Sequence, residues 1–409
     1  MVKTLVLKQS KITSGVRLKI TGSKSESNRA LILKALYSNI ELVNLSNSDD
    51  TRLLQQALTS KQEAVDIHHA GTAMRFLTAY FAAKDHKTIC LTGSSRMKER
   101  PIEVLVNALR GLGADIQYLE NEGFPPIMIN GRSLNENYTE LKANVSSQYI
   151  SALLLVAPSL KNGLRIRLIG KITSRPYIEM TLSLLNRIGV KTDFQDNDIV
   201  VNPLNQIKDR KTITVESDWS SASYYYSLIS LSEPGTSVHL YHYFKDSLQG
   251  DSVLQEIYRL FGVETQFTET GITILKSQQP QLDQIKLDLA GAPDIAQTIV
   301  VTCFGLGMSC HLTGLHTLKI KETDRLEALR TELTKLGAQI LVTKDSLTLK
   351  KTNNYIEDQM IQTYNDHRMA MAFTPLALVG GILIEDPEVV SKSYPDFWKD
   401  LETLGIDLK

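Results

Sequence analysis

Several short segments gather charged and hydroxyl side chains where a helix is expected to begin. GSKSESNRA sets Lys24, Ser25 and Arg29 beside a capping serine. Such a set suits a carboxylate or phosphate, although a solvated helix start would use the same residues. AGTAMRF opens a helix at Gly71 and Thr72; glycine there admits a ligand to the backbone, and a plain cap is the equal alternative. SRMKERPIE crowds Arg96, Lys98, Glu99 and Arg100 ahead of Pro101, which is expected at the first helical position. Charge alone does not decide whether that run faces a cleft or solvent. SSQYI brings Ser146, Ser147 and Gln148, and SRPYIE brings Ser174 and Tyr177. Their neutral hydroxyl and amide groups fit a phosphorylated polyol better than a planar anion.

The second half of the chain adds carboxylates. Asp294 in APDIAQT opens an apolar helix, as a helix cap or as a functional acid–base group. KETDRL places Lys321, Glu322, Asp324 and Arg325 within one turn, NDHRMAM adds Asp366, His367 and Arg368, and SKSYPDFW adds Lys392. A capping box with Thr323 or Asp324 at the cap and Glu327 inside the first turn also accounts for KETDRL. No P-loop, dinucleotide fingerprint, HExxH or CxxC pattern occurs. Phosphate chemistry would therefore rest on arginine, lysine and helix dipoles, with no metal and no cofactor.

The elements that must position these groups recur along the chain. Gly113, Gly189, Gly262, Gly337 and Gly405, spaced by 76, 73, 75 and 68 residues, each follow an amphipathic stretch and precede a short extended run. Glycine just past the last helical turn is the expected left-handed cap. A degenerate sixth copy, DDTRLLQQALTS, lies upstream without its glycine. A second series of helices is expected to open at Ser27-Asn28, Gly71-Thr72, Ser146-Ser147, Ser220-Ser221, Pro293-Asp294 and Asp366-His367. These are apolar nearly all round, so they should be buried. The fold class expected is α/β, built from six repeated units, and buried helix N-termini that converge would attract a multiply anionic ligand.

Composition narrows the class. Lys plus Arg and Asp plus Glu are equal at 45 each, so no basic excess points to nucleic acid. Cys90, Cys303 and Cys310 form no paired framework and have no metal-ligand spacing; Cys303 and Cys310 read as core thiols in a reducing compartment. The opening MVKTLVLKQSKI has no signal-peptide pattern, and it leaves too little chain before the first motif for a transit peptide. The longest apolar stretches, such as FTPLALVGGILI, fall short of the ~20 residues that span a bilayer. A cytoplasmic protein without a membrane or nucleic-acid partner is expected.

Taken in order from Lys24 to Lys392, GSKS-x-SNRA, AGTAMR, RMKERP, SSQ, KETDR and YNDHRMAM resemble the EPSP synthase family of enolpyruvyl transferases. The resemblance implies transfer of the enolpyruvyl group of phosphoenolpyruvate to the 5-hydroxyl of shikimate 3-phosphate, with release of phosphate, by a monomer. It implies two similar domains, each of three βαβαββ-type units in an inside-out barrel-like arrangement, with buried helices converging on an interdomain cleft. One domain would be residues 22–215, holding mainly shikimate 3-phosphate. The other would be 1–21 plus 216–409, carrying the catalytic carboxylates and much of the phosphoenolpyruvate site.

Carried over by motif, Lys24, Ser25, Arg29, Ser146, Ser147, Gln148, Ser174, Tyr177, Asp294 and Lys321 would hold shikimate 3-phosphate. Lys24, Gly71, Arg96, Gln148, Lys321, Arg325, Arg368 and Lys392 would meet phosphoenolpyruvate. Asp294 would be the base and Glu322 the acid, with Lys24 among the catalytic groups. His69, Phe76 and Thr317 stand where the family usually has asparagine, proline and a substrate-binding asparagine; Thr317 keeps a hydrogen-bonding group on a shorter side chain. Inhibition by glyphosate is a property of many members. The sister enzymes that act on UDP-N-acetylglucosamine carry a cysteine or aspartate five residues before an Arg-Pro, where this chain has Ser95. A non-catalytic anion-binding scaffold would explain the helix starts but not the pairing of Asp294 with Glu322.

Overall fold

The computed structural model describes residues 3–144, 146–172 and 175–409. The chain divides into two compact units, one comprising Gly22–Val215 and the other the residues up to Thr21 together with Glu216–Lys409. Six apolar helices form the interior of the two units: α1 (Lys24–Leu36), α2 (Gly71–Ala82) and α3 (Ser147–Val156) in the first, α4 (Trp219–Ser230), α5 (Ala296–Gly305) and α6 (His367–Phe373) in the second. In α2 every residue but Thr72 is buried, as the all-round apolar sequence requires. The helices meet partly through small hydroxyls. Ser223 and Thr298 lie 2.9 Å apart across α4 and α5, and Thr302 donates to Ser227 at 2.7 Å. Buried hydroxyls cost little when they satisfy one another.

Around these helices the strands repeat one pattern. In the first unit Ala64–Asp66 runs parallel to Thr88–Thr92, which pairs antiparallel with Ile127–Asn130, and Asp115–Tyr118 closes the sheet. Tyr138–Lys142, Leu164–Ile169, Asp198–Val201 and Thr192–Gln195 repeat that order. In the second unit Gln284–Asp288, Ser309–Thr313, Leu347–Leu349 and Ile340–Val342 do the same. Gln359–Ile361 lies parallel to Ile382–Glu385, and Thr4–Leu7 completes that sheet from the other end of the chain. In each of these cases a buried helix supplies the crossover that a parallel pair needs.

Two repeats exchange strands. Val16–Leu18, which precedes α1, pairs with Ser237–Tyr241 after α4. Lys211–Thr214, which precedes α4, pairs with Ile40–Val43 after α1. This exchange makes the second unit discontinuous in sequence.

The recurrent glycines have the conformation their position demands. Gly113, Gly189, Gly262, Gly337 and Gly405 all have left-handed φ, at 106°, 99°, 73°, 99° and 97°. The N–H of the following residue reaches back to the last helical turn, as in Ala114 to Leu109 at 2.9 Å and Ala338 to Leu333 at 3.0 Å.

Three local expectations are corrected. The first buried helix begins at Lys24 with Ser23 as its cap, not at Ser27-Asn28. Ser27 and Asn28 lie inside it and turn sideways, Ser27 accepting from Ser46 N–H at 2.8 Å and Asn28 from the Thr51 hydroxyl at 2.9 Å. Pro101 is not the first residue of its helix: Arg96, Met97 and Lys98 form a short helix of their own (Ser95–Lys98), and the following one starts at Glu103. The stretch before Gly262 is one α-turn, Leu254–Ile257, between two 3-10 turns rather than a continuous α-helix.

Candidate functional site

In the second unit the carboxylates and cations of three repeats meet. Arg325 begins the helix Arg325–Lys335, whose cap is Asp324, accepting from the N–H groups of Leu326 and Glu327. The capping role of KETDRL therefore belongs to Asp324, which leaves Glu322 and Arg325 for other partners. Arg325 is 1% exposed. It donates to Asp294 at 2.9 Å, to Glu322 at 2.8 Å and to Asp366 at 2.7 Å. Burial opposes its charge, but Asp366, Glu322 and Asp294 raise its pKa above the ordinary arginine value.

Asp294 is no helix cap. It sits in the 3-10 turn Pro293–Ile295 that leads into α5, with no side-chain capping bond. Lys321 Nζ lies 3.3 Å from it, and Arg368 reaches it at 3.5 Å. Burial favours the neutral acid, yet Lys321, Arg368 and Arg325 outweigh it and hold the carboxyl well below the usual carboxylate range. Glu322 is the more accessible partner, its side chain 30% exposed against 14% for Asp294. Arg368 follows the cap of α6, Asp366, which accepts from the Arg368 N–H at 2.9 Å. Tyr364 and Asn365 just before it both have positive φ, 53° and 55°. Lys392 donates to the Asn365 carbonyl at 2.5 Å and so joins this turn. Thr317, in the 3-10 turn His316–Ile320, has a buried hydroxyl oxygen with no hydrogen-bond partner among the described residues.

The first unit holds Lys24, Ser25, Gly71, Ser146, Ser147 and Gln148 at the starts of α1, α2 and α3, with Arg29 inside α1, Tyr177 on the helix Arg175–Arg187 and Arg96 on Ser95–Lys98. Lys24 lies 3.5 Å from Asp50. Ser146 caps α3, accepting from the Gln148 N–H, and the Gln148 amide donates to Thr72 at 3.1 Å. Ser147, Gln148, Gly71 and Thr72 are thereby adjacent at two helix starts. Arg29 is turned inward: its donors go to Thr181 at 2.8 Å, Ser151 at 2.9 Å and the Ser25 carbonyl at 2.7 Å. Its guanidinium lies over the rings of Phe76 and Tyr177, at 5.4 and 5.9 Å. Burial pulls its pKa down to about 10. Phe76 thus makes a face for a buried cation. Arg96 points outward and pairs with Glu99 at 2.6 Å. Ser174 lies outside the described residues.

Each unit also holds residues to which the sequence motifs gave no role, Arg75 in the first and Asp251 in the second, while His69 stood only as a departure from the family pattern. Arg75 is buried beside Gly71, donating to its carbonyl at 2.9 Å, and burial with the nearby Arg100 draws its pKa down to about 10. His69 contacts the Ser94 hydroxyl through Nδ1 at 2.8 Å. Ser220 accepts from Arg368 at 3.2 Å and donates to the buried Asp251. AGTAMRF displayed Arg75 in plain view, but nothing in QGDSV marks Asp251.

A family model described as EPSP synthase (3-phosphoshikimate 1-carboxyvinyltransferase) matches residues 52–401. A 3-phosphoshikimate 1-carboxyvinyltransferase of Bacteroides fragilis (strain YCH46) is 49% identical over 398 residues, covering 96% of either chain. This chain belongs to the EPSP synthase family. A second relative of the same name, from Mannheimia haemolytica, is 35% identical over 95% of this chain and 96% of its own. The fold is that of a solved EPSP synthase from Acinetobacter baumannii, with TM-score 0.82 at 20% identity over 99% of each chain. The α/β architecture expected from the repeats therefore agrees with the EPSP synthase fold. Among the described residues no helix is long and apolar enough to cross a membrane, and no cluster of His, Cys, Asp and Glu could hold a metal ion.

Proposed function

We propose that this protein transfers the enolpyruvyl group of phosphoenolpyruvate to the 5-hydroxyl of shikimate 3-phosphate and releases phosphate, as a cytoplasmic enzyme. The observation that carries the mechanism is the state of Asp294, a carboxylate held ionised by Lys321, Arg368 and Arg325 with no structural capping duty. Ionised, the group is in the form that accepts the proton of an attacking hydroxyl, and its basicity rises once phosphoenolpyruvate engages the cations around it. Glu322, on the other side of Arg325 and more open, delivers a proton to the methylene carbon of the enol. Protonation makes the neighbouring carbon electrophilic, the 5-hydroxyl oxygen bonds to it, and Asp294 accepts the hydroxyl proton. A tetrahedral ketal phosphate results. Glu322 as carboxylate then removes a methyl proton, the C=C bond re-forms, and the C–O bond to phosphate breaks with its electron pair on phosphate, which takes the proton held by Asp294, so both carboxyls return to their starting states.

Lys321, Arg325, Arg368 and Lys392 orient phosphoenolpyruvate and offset the charge of the departing phosphate. Gly71, Arg96, Gln148 and Lys24 act on the same substrate. Ser25, Arg29, Ser146, Ser147, Ser174 and Tyr177 serve shikimate 3-phosphate. The open hydrogen-bonding position on Thr317 suits a substrate hydroxyl.

The test is phosphate release from phosphoenolpyruvate. Release that depends on shikimate 3-phosphate supports the reading. Release that depends instead on UDP-N-acetylglucosamine, or none with either acceptor, overturns it.

A further inference from the structure

The acid–base pair leaves one neighbouring carboxylate unused. Asp251, in the 3-10 turn Gly250–Val253, is 4% exposed. One of its oxygens accepts from the Ser220 hydroxyl, and the other, Oδ1, has no hydrogen-bond partner among the described residues. Ser220, in the first turn of α4, in turn accepts from Arg368 Nη2 at 3.2 Å. The other end of that guanidinium, Nη1, donates to the Asp294 main-chain carbonyl at 3.1 Å. A serine hydroxyl has one proton and two lone-pair positions. With the proton committed to Asp251, only lone pairs are left for Arg368, which has no acceptor capacity of its own.

The geometry points to Asp251 as a positioning residue: it ends an Arg368–Ser220–Asp251 chain that fixes the guanidinium of Arg368 against Asp294. The inference rests on the transferase reading above and adds a residue to it. Three charged groups face Asp251 from the elements around it: Asp294 before α5, Arg368 on α6 and Asp218 at the cap of α4. Burial and the Asp294 charge push its pKa up to about 6, with Arg368 pulling the other way. Above that pH the carboxylate accepts and the chain is aligned. Below it the protonated acid donates to Ser220, whose hydroxyl hydrogen turns toward Arg368, and the cation is no longer held.

Steady-state kinetics on the full-length protein test this with Ser220→Ala, Asp251→Asn and the double variant. Ser220→Ala should raise KM for phosphoenolpyruvate about tenfold, equivalent to ~1.4 kcal/mol. KM for shikimate 3-phosphate should stay within twofold. Asp251→Asn keeps an acceptor oxygen for Ser220 but cannot titrate, so phosphoenolpyruvate KM should rise less steeply than in the parent as pH falls through about 6, the remaining rise being the titration of the substrate's own phosphate. The double variant should match Ser220→Ala, because without the Ser220 hydroxyl residue 251 no longer reaches Arg368 through it. A double variant worse than Ser220→Ala, a rise shared equally by both KM values, or an acid limb as steep in Asp251→Asn as in the parent would each overturn the proposal. Carbon-13 NMR of aspartate-labelled protein without substrate supplies a readout independent of activity. The Asp251 side-chain resonance, titrating near 6, should vanish in Asp251→Asn and move in Ser220→Ala and in Arg368→Lys, and a resonance unmoved by either change counts against the chain. A parent that transfers no enolpyruvyl group defeats the functional reading alone, and this coupling still tests the chain.

Discussion

Replacing Arg325 with methionine removes a cation that three carboxylates share, and the cost can be worked from their surroundings. Asp294 retains Lys321 and Arg368, and Glu322 is partly open to water. Asp366 is fully buried, and the N–H of Arg368 is a poor substitute for a guanidinium at 2.7 Å. Leaving a buried carboxylate without its ion-pair partner costs about 3–5 kcal/mol. In a domain of this size each kcal/mol moves Tm by roughly 2–4 °C, so a fall of about 6–20 °C is expected at pH 7. The sign of the pH dependence follows from Asp294. Its folded-state pKa lies below the unfolded value, so its stabilisation is present above the unfolded pKa and is lost as pH falls through the folded one. Without Arg325 that depression shrinks, and Asp294 takes up its proton at a higher pH. Calorimetric scans of parent and Arg325→Met should therefore keep their difference from pH 7 down to about pH 4, the unfolded aspartate value, and converge only below it. A difference in Tm that persists undiminished to about pH 2 would show that lost packing, not unpaired charge, is responsible.

Asp294→Ala and Glu322→Gln should each lower turnover by at least ~100-fold, as loss of a general base or acid does, while calorimetry should find shikimate 3-phosphate binding intact in Glu322→Gln; near-parental turnover would remove the residue from the mechanism. A methyl at Gly71 would fall 2.5 Å from Arg100 Nη1 and 2.8 Å from Arg75 Nη1, forcing Arg100 aside. Competition assays on Gly71→Ala should show glyphosate weakened far more than phosphoenolpyruvate, because the longer anion has less room; equal inhibition constants in parent and variant would place Gly71 away from the ligand. Alanine at Gly189, where nothing lies within 4 Å of the added carbon, should cost only the ~1–2 kcal/mol of the left-handed backbone. Gly262→Ala should cost more, since its Cβ would come within 1.9 Å of the Gln278 carbonyl, and urea denaturation that ranks the two the other way contradicts this account.

The periodic part of the fold was readable because it rests on local rules. A glycine after a helix announces a left-handed cap whatever the tertiary structure, and Gly113 through Gly405 obey that rule. Helix starts were less legible. Ser27 and Asn28 look like caps, but their side chains bridge to Ser46 and Thr51, contacts between segments that no window of sequence contains. Pro101 suits a helix start by its fixed φ, yet the short helix Ser95–Lys98 ends just before it and the next begins after Ile102. Within the candidate site, motif spacing singled out the residues, and only the folded chain joined Arg325 to Asp294 in its own repeat and to Asp366 in the next. Asp251 was invisible for the same reason. Its meaning comes from Ser220 and Arg368, each brought to it by a different helix.

The exchange of strands between two repeats bears on how the chain is made. The ends of the Gly22–Val215 unit are neighbours: a carbon on Gly22 would lie 3.1 Å from Val215 and 1.9 Å from the Asn44 carbonyl, so only glycine fits. On the other side Ser217 donates to the Ile20 carbonyl at 2.8 Å, and the Asp218 N–H to Thr21 at 3.2 Å. During synthesis the first strands emerge long before Glu216–Lys409, the residues they pair with. Closing so long a loop is entropically costly while the loop is unfolded. If Gly22–Val215 folds first, as domains completed on the ribosome do, it brings Thr21 and Glu216 together and turns a distant encounter into a local one. The inserted unit is thereby an assembly jig for the discontinuous one. Excised alone it should fold, and a direct join of Thr21 to Glu216 should let the remainder fold without it.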